Sequence, residues 1–450
     1  MKKSGPDKGN QTEYRYQRIV VLLYFCVIMA LFFCVVWRGI VRGVLKQEEE
    51  AGNVSTIDWS LEYPFEEADS ESQTADRGNH GDNGELLTGK FSALEWYEQK
   101  VNAVKASLEW YCTDGFYLQP LCVEISAFAN KLSGTRIIQS ANRLVSVHGG
   151  YLTMPADRVN TAPYADNVGE FAAFLKAEGI PLLYVESLFK VDGEDDDPLL
   201  YDDYTNRNAD ELAGHLKDAG ISVLDLRDSV HEQNLDHYSL FFRTDTHWLP
   251  STGLWASRQI AERLQTELSF VLPLELLAED KYERRFYPQS YLGSNGRNAG
   301  LSYAGLDDFT LLLPNFDTSL TYISEQACIH QSGSFDEALI DWDRLQSTDY
   351  YANSSYAAYL GGRQPLAEID NAYADNEIRL LFLSDSFGAT VAPFLALTVR
   401  ELDFIDPRLF NGSVERYIQE NPPDVVVIMY NPEVITAVPP DSNDSIYMLR

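Results

Sequence analysis

Short apolar segments alternate with amphipathic segments from about residue 160 to the end of the chain. Asn167–Gly179 has helical spacing and ends at a glycine, and the apolar run Ile180–Glu186 follows it. The same order returns in Asn208–Gly220 and Ile221–Leu226. Apolar runs that do not alternate, separated by helices, are typical of a parallel sheet covered on both faces. The pattern predicts an α/β fold with a mostly parallel sheet.

The alternation resumes near the C-terminus after a long interruption. The later predicted strands and helices are Arg379–Leu383, Ala389–Arg400, Glu401–Ile405, Val414–Glu420 and Asp424–Tyr430. Residues 266–375 break the pattern, because they are rich in Tyr, Asp, Asn, Ser and Gly and have few long apolar runs. We interpret 266–375 as an insertion packed on the sheet, as a lid or a substrate wall. Sites in parallel sheets form just after the strands, so those positions are the ones to inspect.

The longest apolar stretch, residues 19–37, contains no charged residue. A helix of this length spans about 28 Å, which is close to the thickness of a bilayer core. The alternatives are a buried core helix and a cleaved signal peptide. A core helix of this length usually has a polar face, and the sequence WRGIVRG replaces the small-residue site that a signal peptidase needs. We therefore predict an uncleaved transmembrane helix.

The charge of the 450-residue chain is unevenly distributed. The net charge is -33, yet residues 1–46 hold eight Lys or Arg and two acidic residues. Five of these basic residues precede the apolar span and three follow it, which favours a cytoplasmic N-terminus and an extracytoplasmic body. The acidic excess argues against nucleic acid as a partner, because phosphate binding needs a basic surface. It also disfavours binding of a strongly anionic polymer.

Composition divides the chain into four parts. Residues 48–87 hold twelve acids and one base, which is typical of a solvated stalk, and a helical pattern begins at Phe91–Cys112. We predict a cytoplasmic tail 1–18, an anchor 19–37, a stalk 38–90 and a folded domain 91–450.

Cysteine usage adds little to this division. A Cys112–Cys122 disulfide is one option in an oxidising compartment, and Cys328 is then left over. No motif with the spacing of a metal site or of a soluble cofactor site is present, so we expect neither.

Two segments carry residues suited to catalysis. In Phe241–Pro250 (FFRTDTHWLP), Asp245 and His247 are two residues apart, so in an extended segment their side chains point the same way. Such a pair is a candidate base with its orienting acid. The alternatives are a capped helix entrance with a buried His–Asp pair, or a metal site that lacks a third nearby ligand. Ser251 is the expected N-cap of a helix over Ser251–Leu264.

The second segment is Leu380–Ala389 (LLFLSDSFGA), where an apolar strand runs into a serine-containing turn before a helix. A serine at such a turn is exposed at the carboxyl edge of the sheet, and helix-start N–H groups can stabilise an oxyanion there. The alternative is an ordinary Ser or Asp helix cap. Taken together, the two segments offer a nucleophile, a base and an orienting acid.

These residues resemble a known family. Asp245-Thr246-His247-Trp248 is similar to the Asp-His-His-Trp signature of the DHHW proteins, relatives of the alginate O-acetyltransferases in the SGNH hydrolase superfamily. Asp385-Ser386-Phe387 is similar to their Gly-Asp-Ser-Phe block, and Ile405–Phe410 and Pro423–Asn431 resemble their closing strands. The order, with Asp-x-His first, also matches, and the likeness covers roughly residues 140–450. It implies a three-layer α/β/α fold and transfer of acetyl groups onto a cell-surface or secreted polysaccharide.

The resemblance also implies residue roles. Ser386 would be the nucleophile, His247 the general base and then acid, and Asp245 the orienting acid; the Ser386 N–H would contribute to the oxyanion hole. Weaker candidates for substrate or oxyanion contacts are Asn431, Tyr430, Arg243 and Arg408. The expected partners are a polysaccharide acceptor and a membrane protein that supplies the acetyl group.

Two departures from the family pattern stand out. Thr246 replaces the first signature His, and in an extended segment it points away from its neighbours. Ser384 replaces the Gly before the nucleophile block and is expected to crowd the oxyanion side. The sequence leaves two other functions open: an acetylesterase that uses the same triad, and a non-catalytic glycan-binding or assembly subunit.

Overall fold

The structure is a computed structural model that describes residues 119–139, 143–195, 197–442 and 445–449. The predicted tail 1–18, membrane span 19–37 and stalk 38–90 lie outside these residues, as does the helical pattern Phe91–Cys112. Within the described part, no helix is both long and apolar enough to cross a membrane. The division of the chain into tail, anchor, stalk and domain therefore stays a prediction.

Five strands lie where the apolar pattern predicts them, at Leu182–Glu186, Ser222–Asp225, Arg379–Ser384, Glu401–Ile405 and Val425–Tyr430, and the chain forms further elements that the pattern does not predict. The strands are β1 (Ile137–Gln139), β2 (Leu144–Val147), β3 (Tyr151–Thr153), β4 (Leu182–Glu186), β5 (Ser222–Asp225), β6 (Tyr282–Tyr291), β7 (Asp307–Pro314), β8 (Leu320–Ser324), β9 (Ile329–Gly333), β10 (Ala367–Asn371), β11 (Arg379–Ser384), β12 (Glu401–Ile405) and β13 (Val425–Tyr430). The α-helices are α1 (Gln119–Ser133), α2 (Ala162–Glu178), α3 (Thr205–Asp218), α4 (Leu226–Glu232), α5 (Pro250–Leu268), α6 (Ser294–Ala299), α7 (Leu301–Ala304), α8 (Phe335–Leu339), α9 (Asp343–Gln346), α10 (Ala392–Leu395), α11 (Val414–Glu420) and α12 (Val434–Ala437).

The central sheet has eight strands in the order β5-β4-β13-β11-β12-β10-β8-β9. The first five are parallel to one another. The last three pair antiparallel. The prediction of a mostly parallel sheet is therefore wrong, because the sheet is mixed. The antiparallel strands β8, β9 and β10 come from 266–375, so part of that segment extends the sheet.

The antiparallel half escaped prediction because its strands carry mixed polar and apolar side chains. Along β8 the side chains alternate between buried and partly buried positions, which gives no continuous apolar run. Two smaller sheets lie outside the central one, β1-β2-β3 and β6-β7. The pair β6-β7 also comes from 266–375.

Helices cover both faces of the sheet and give three layers. Alternate residues of β13 enter two separate cores, with Val425 and Val427 on one side and Val426 and Ile428 on the other. The first core is completed by α5 and α10 together with β7, and the second by α2, α3 and α11. Burial of both faces explains why β4, β11 and β13 are almost continuously apolar. The predicted α/β/α layering is confirmed.

Local boundaries differ from expectation where proline or turn geometry intervenes. Helix α5 begins at Pro250 with Leu249 as its N-cap, so Ser251 lies inside the first turn and is not the cap. The predicted helix Ala389–Arg400 is broken into a 3₁₀ turn Ser386–Thr390, helix α10 and a second 3₁₀ turn. Pro393 in the first turn of α10 has no N–H to continue the preceding turn, which fits a new start there.

Candidate active site

Ser386 lies where β11 ends at the carboxyl edge of the sheet. The side chain of Asp385 caps the 3₁₀ turn Ser386–Thr390 by accepting the Phe387 N–H at 2.9 Å. This cap leaves Ser386 as the first residue of the turn, and its side chain is partly exposed. Gly388 is required in this turn, since a Cβ there would lie 2.6 Å from the Cβ of Ser384. The sequence predicted this strand-to-turn arrangement correctly.

Ser384 does not occupy the oxyanion side as we had expected. Its hydroxyl is buried and donates to the carbonyl of Met429 on the neighbouring strand β13 at 2.6 Å. The replacement of glycine at this position therefore adds a link between two central strands.

The segment before α5 is a loop of bends and not the extended segment that we had predicted. Phe241 and Trp248 form an isolated antiparallel bridge that closes the loop, and residues 243–247 between them are bends. The Trp248 indole is buried and donates to the hydroxyl of Thr390 at 2.9 Å. This bond ties the loop to the turn that carries Ser386. We call residues 243–247 the base loop.

The structure brings Ser386, His247 and Asp245 together in one hydrogen-bonded chain. The distance between His247 Nε2 and Ser386 Oγ is 2.7 Å. The distance between His247 Nδ1 and Asp245 Oδ1 is 3.1 Å. The imidazole can therefore accept the serine proton on one nitrogen while its other N–H donates to the carboxylate. The His247 side chain is 15% exposed and that of Asp245 is 2% exposed, so the chain runs from the surface into the interior.

The carboxylate of Asp245 is buried and held ionised. Burial by itself raises the pKa of Asp245, but the charge of His247 and hydrogen bonds from His247 and Ser294 outweigh it, and Lys190 adds to them. The net effect places the pKa of Asp245 well below its usual range. Oδ1 also accepts the Thr246 N–H at 2.7 Å and the Ser294 hydroxyl at 2.9 Å.

Two contributors to the site come from 266–375, where the sequence offered no local signal for them. Ser294 reaches Asp245 from the start of α6. Its neighbour Gly293 packs so closely that a Cβ there would lie 2.3 Å from the Cβ of Asp245. Tyr356 stacks on the His247 ring with centroids 4.1 Å apart, and its hydroxyl bonds that of Thr390 at 3.0 Å. The segment thus contributes side chains around the triad, and its role as a lid or a substrate wall stays a prediction.

Thr246 points to a carboxyl group that no sequence motif marks. Its hydroxyl donates to Glu433 Oε2 at 2.9 Å. Burial raises the pKa of Glu433 to about 7, against the opposing effects of the Thr246 hydrogen bond and the charge of Lys190. Glu433 follows Asn431 in the turn after β13, so it lies after a strand of the sheet, where we expected site residues.

The four weaker candidates are engaged in contacts within the protein. Asn431 is buried; its N–H donates to Asp385 Oδ2 at 2.7 Å and its amide to Leu188 O at 3.3 Å. Tyr430 is fully buried, and its hydroxyl has no hydrogen-bond partner within the described residues. Neither side chain is placed to meet a substrate at the surface.

The two arginines are more accessible. Arg408 makes two hydrogen bonds to the carboxylate of Asp406, at 2.9 and 2.7 Å. The Arg243 side chain is 36% exposed, and its nearest acidic group is Asp307 at 3.7 Å. Arg243 borders a cavity of about 220 Å³ beside the base loop. A substrate contact for Arg243 stays a prediction.

Metal-ligating side chains do not cluster at this edge of the sheet among the described residues. In the described part of the chain, no group of three or more His, Cys, Asp or Glu side chains is placed to hold a metal ion.

Comparison with known proteins agrees with the resemblance drawn from the signature residues. Residues 150–306 match the family model described as the SGNH hydrolase-like domain of acetyltransferase AlgX. This stretch, about a third of the chain, includes the base loop and is similar to that domain. The family match supports an activity of the acyltransferase class. Among curated proteins, no significant match is found.

Solved structures share the fold at low sequence identity. Bacillus cereus PatB1 with a sulfonyl adduct is 18% identical and has a TM-score of 0.55; the match covers 68% of this chain and 99% of PatB1. A second PatB1 structure is 20% identical over the same shares, with a TM-score of 0.54. A DHHW family protein from Eubacterium siraeum is 17% identical and has a TM-score of 0.53, over 68% of this chain and 93% of that one. These likenesses define the fold as SGNH-like.

Proposed function

We propose that this protein is a membrane-anchored O-acetyltransferase that transfers acetyl groups onto a polysaccharide outside the cytoplasm. The observation that carries the proposal is the continuous hydrogen-bonded chain from Ser386 through His247 to Asp245. The family match at residues 150–306 supports the acyl-transfer class. The apolar span 19–37 and its basic flanks support the anchor and its orientation.

The first half-reaction forms an acyl-enzyme. Ser386 Oγ attacks the carbonyl carbon of the acetyl donor while His247 Nε2 takes the hydroxyl proton. The resulting imidazolium is stabilised by the ionised carboxylate of Asp245. Collapse of the tetrahedral intermediate breaks the bond to the donor, and His247 returns the proton to the leaving group. A membrane partner would supply the donor.

The second half-reaction reverses these roles. A sugar hydroxyl attacks the acetyl-serine carbonyl, His247 removes the hydroxyl proton, and the same proton then returns to Ser386 as the ester bond breaks. Water in place of the sugar would give hydrolysis. The reacting serine is partly exposed, which suits a bulky polymeric acceptor.

The test uses the full chain in membranes with an acetyl ester donor and defined oligosaccharide acceptors. Ser386→Ala is expected to abolish acetyl transfer and covalent labelling by a sulfonyl fluoride, while the exposed Ser332→Ala leaves both unchanged. Transfer to a sugar supports the proposal. Release of free acetate regardless of acceptor would identify an esterase, and an intact protein that never reacts would identify a non-catalytic subunit.

A separate experiment tests the anchor. A version that begins after residue 37 is expected to leave the membrane fraction, whereas the full chain resists extraction at alkaline pH. Release of the full chain by such extraction would contradict the anchor without affecting the catalytic proposal.

A further inference from the structure

Lys190 is buried directly behind the base loop. It follows β4 in the turn that leaves the carboxyl edge of the sheet, and only 2% of its surface is exposed. Its setting differs from that of Lys131, Lys176, Lys217 and Lys281, the other lysines in the described part of the chain, which are exposed. Removing an ammonium group from water is costly unless strong acceptors replace its hydration. The position of Lys190 therefore needs a specific explanation.

The Lys190 ammonium group joins segments that are distant in sequence. It donates to the backbone carbonyl of Asp245 in the base loop and to the carbonyl of Leu152 in β3 at 2.8 Å. The side chain of Asn295, in α6, donates to the same Leu152 oxygen at 3.0 Å. These contacts clamp the base loop against β3 and α6, next to the segment that supplies Ser294.

Three carboxyl groups from three elements act on this ammonium group. They are Asp245 in the base loop, Glu433 after β13 and Asp307 at the start of β7. Beside Lys190 in the sequence, the carbonyl oxygen of Phe189 lies 2.8 Å from Nε2 of His237. The hydrogen-bond acceptors of Lys190 are carbonyl oxygens, so its positive charge is left to act on the surrounding carboxyl groups. One of these is the acid that orients His247.

We propose that Lys190 is a positioning residue of the triad: its ammonium group fixes the base loop through the Asp245 carbonyl, and its charge favours the ionised Asp245 carboxylate. This inference rests on the proposed function, since it assigns Lys190 a part in activating Ser386. It also implies that the active form of the enzyme requires a protonated Lys190. Neutral lysine retains two N–H groups but loses the charge-assisted hydrogen bonds and the electrostatic support of Asp245.

The protonation requirement predicts an alkaline limit to activity. Burial lowers the pKa of Lys190 to about 8, against the opposing charges of Asp245, Glu433 and Asp307. Above that pH the ammonium group is lost, and activity is expected to fall although His247 is then fully able to act as a base. A triad whose only relevant titration is that of its base would instead reach a plateau at alkaline pH.

The test compares pH profiles of sulfonyl fluoride labelling and acetyl transfer for the wild type, Lys190→Met and Lys190→Arg. The wild type is expected to show a descending limb near pH 8. Lys190→Met is expected to lose about 10- to 100-fold in rate at pH 7, as a displaced catalytic group would, and to lack the limb. Lys190→Arg, which stays charged, is expected to keep activity above pH 9. Lys217→Met, at an exposed lysine, is the control and should match the wild type.

Amide hydrogen exchange at residues 244–248 provides a readout that does not depend on activity. After correction for the intrinsic exchange rate at each pH, exchange at pH 7 is expected to be faster in Lys190→Met than in the wild type, whereas Lys217→Met matches the wild type. At pH 9 the corrected exchange is expected to be faster than at pH 7 in both the wild type and Lys217→Met. If the wild type does not react with the sulfonyl fluoride at any pH, the proposed function is contradicted. Hydrogen exchange would then still show whether Lys190 holds the base loop in place. A wild-type profile without an alkaline limb, or a Lys190→Met protein with wild-type labelling and exchange, would overturn the inference.

Discussion

Asp245 offers the sharpest test of how the triad works, because Asp245→Asn changes its charge with almost no change in shape. Oδ1 accepts hydrogen bonds from four groups, the His247 Nδ1–H at 3.1 Å, the Thr246 N–H at 2.7 Å, the Ser294 hydroxyl at 2.9 Å and the Ser294 N–H at 3.4 Å. An amide oxygen can keep the bonds from Thr246 and Ser294. What the variant loses is the negative charge that stabilises the imidazolium.

The size of the effect follows from the geometry. At a separation near 3 Å and an effective dielectric constant of about 20, the attraction between carboxylate and imidazolium is about 5 kcal/mol. At about 1.4 kcal/mol per factor of ten, this corresponds to a loss of roughly 10³- to 10⁴-fold in the rate of acyl-enzyme formation. Removing the orienting acid also favours the imidazole tautomer that cannot accept the serine proton, which acts in the same direction.

The assay is the second-order rate of sulfonyl fluoride labelling at pH 7, with thermal unfolding as a check on folding. Asp370→Asn, which removes an exposed carboxylate on β10, is the matched control for net charge and is expected to react like the wild type. A folded Asp245→Asn protein within tenfold of the wild-type rate would refute the electrostatic reasoning.

Three further predictions concern the walls of the site. Gly293→Ala forces a Cβ to within 2.3 Å of the Cβ of Asp245 and is expected to destabilise the fold by about 2–3 kcal/mol, measured as a lower urea midpoint. The control Gly169→Ala, in the middle of α2 where a Cβ meets no other atom, is expected to stabilise the fold by about 0.5–1 kcal/mol. Equal effects of the two substitutions would contradict the close contact between Gly293 and Asp245. Because the pKa of Glu433 is raised to about 7, the folded wild type binds more protons than its unfolded chain between about pH 4.5 and 7. The stability of the wild type relative to Glu433→Gln is therefore expected to be greatest below pH 4.5 and to fall by about 1–2 kcal/mol as the pH rises to 7. Urea titrations of both proteins across this pH range test the prediction, and a stability difference that does not change with pH would contradict it. Tyr356→Phe keeps the ring that stacks on His247 but loses the hydrogen bond of the buried hydroxyl to Thr390. We expect it to lower the free energy of unfolding by about 1–2 kcal/mol and to change the rate of sulfonyl fluoride labelling little. A large fall in that rate would assign the hydroxyl a catalytic role.

The sequence by itself determined the features that depend on local pattern. Strand β12 and helix α11 have the predicted boundaries, because their side-chain periodicity and flanking residues are sufficient to define them. Ser386 was selected because an apolar strand leads directly into a polar turn, and His247 because an aspartate lies two residues before it. Both signals are contained within about ten residues, so no tertiary information was needed to see them.

The tertiary structure decided whatever depends on contacts between distant segments. Strands β8, β9 and β10 extend the sheet by antiparallel pairing with β12 and with one another. Strands of mixed polar and apolar residues carry little sign of such pairing in their own sequences. The base loop faces Ser386 because Trp248 hydrogen-bonds to Thr390, 142 residues away. Ser294 and Lys190 surround Asp245 for a similar reason: a buried carboxylate is stable only where donors and positive charge converge on it, and here they come from separate parts of the chain.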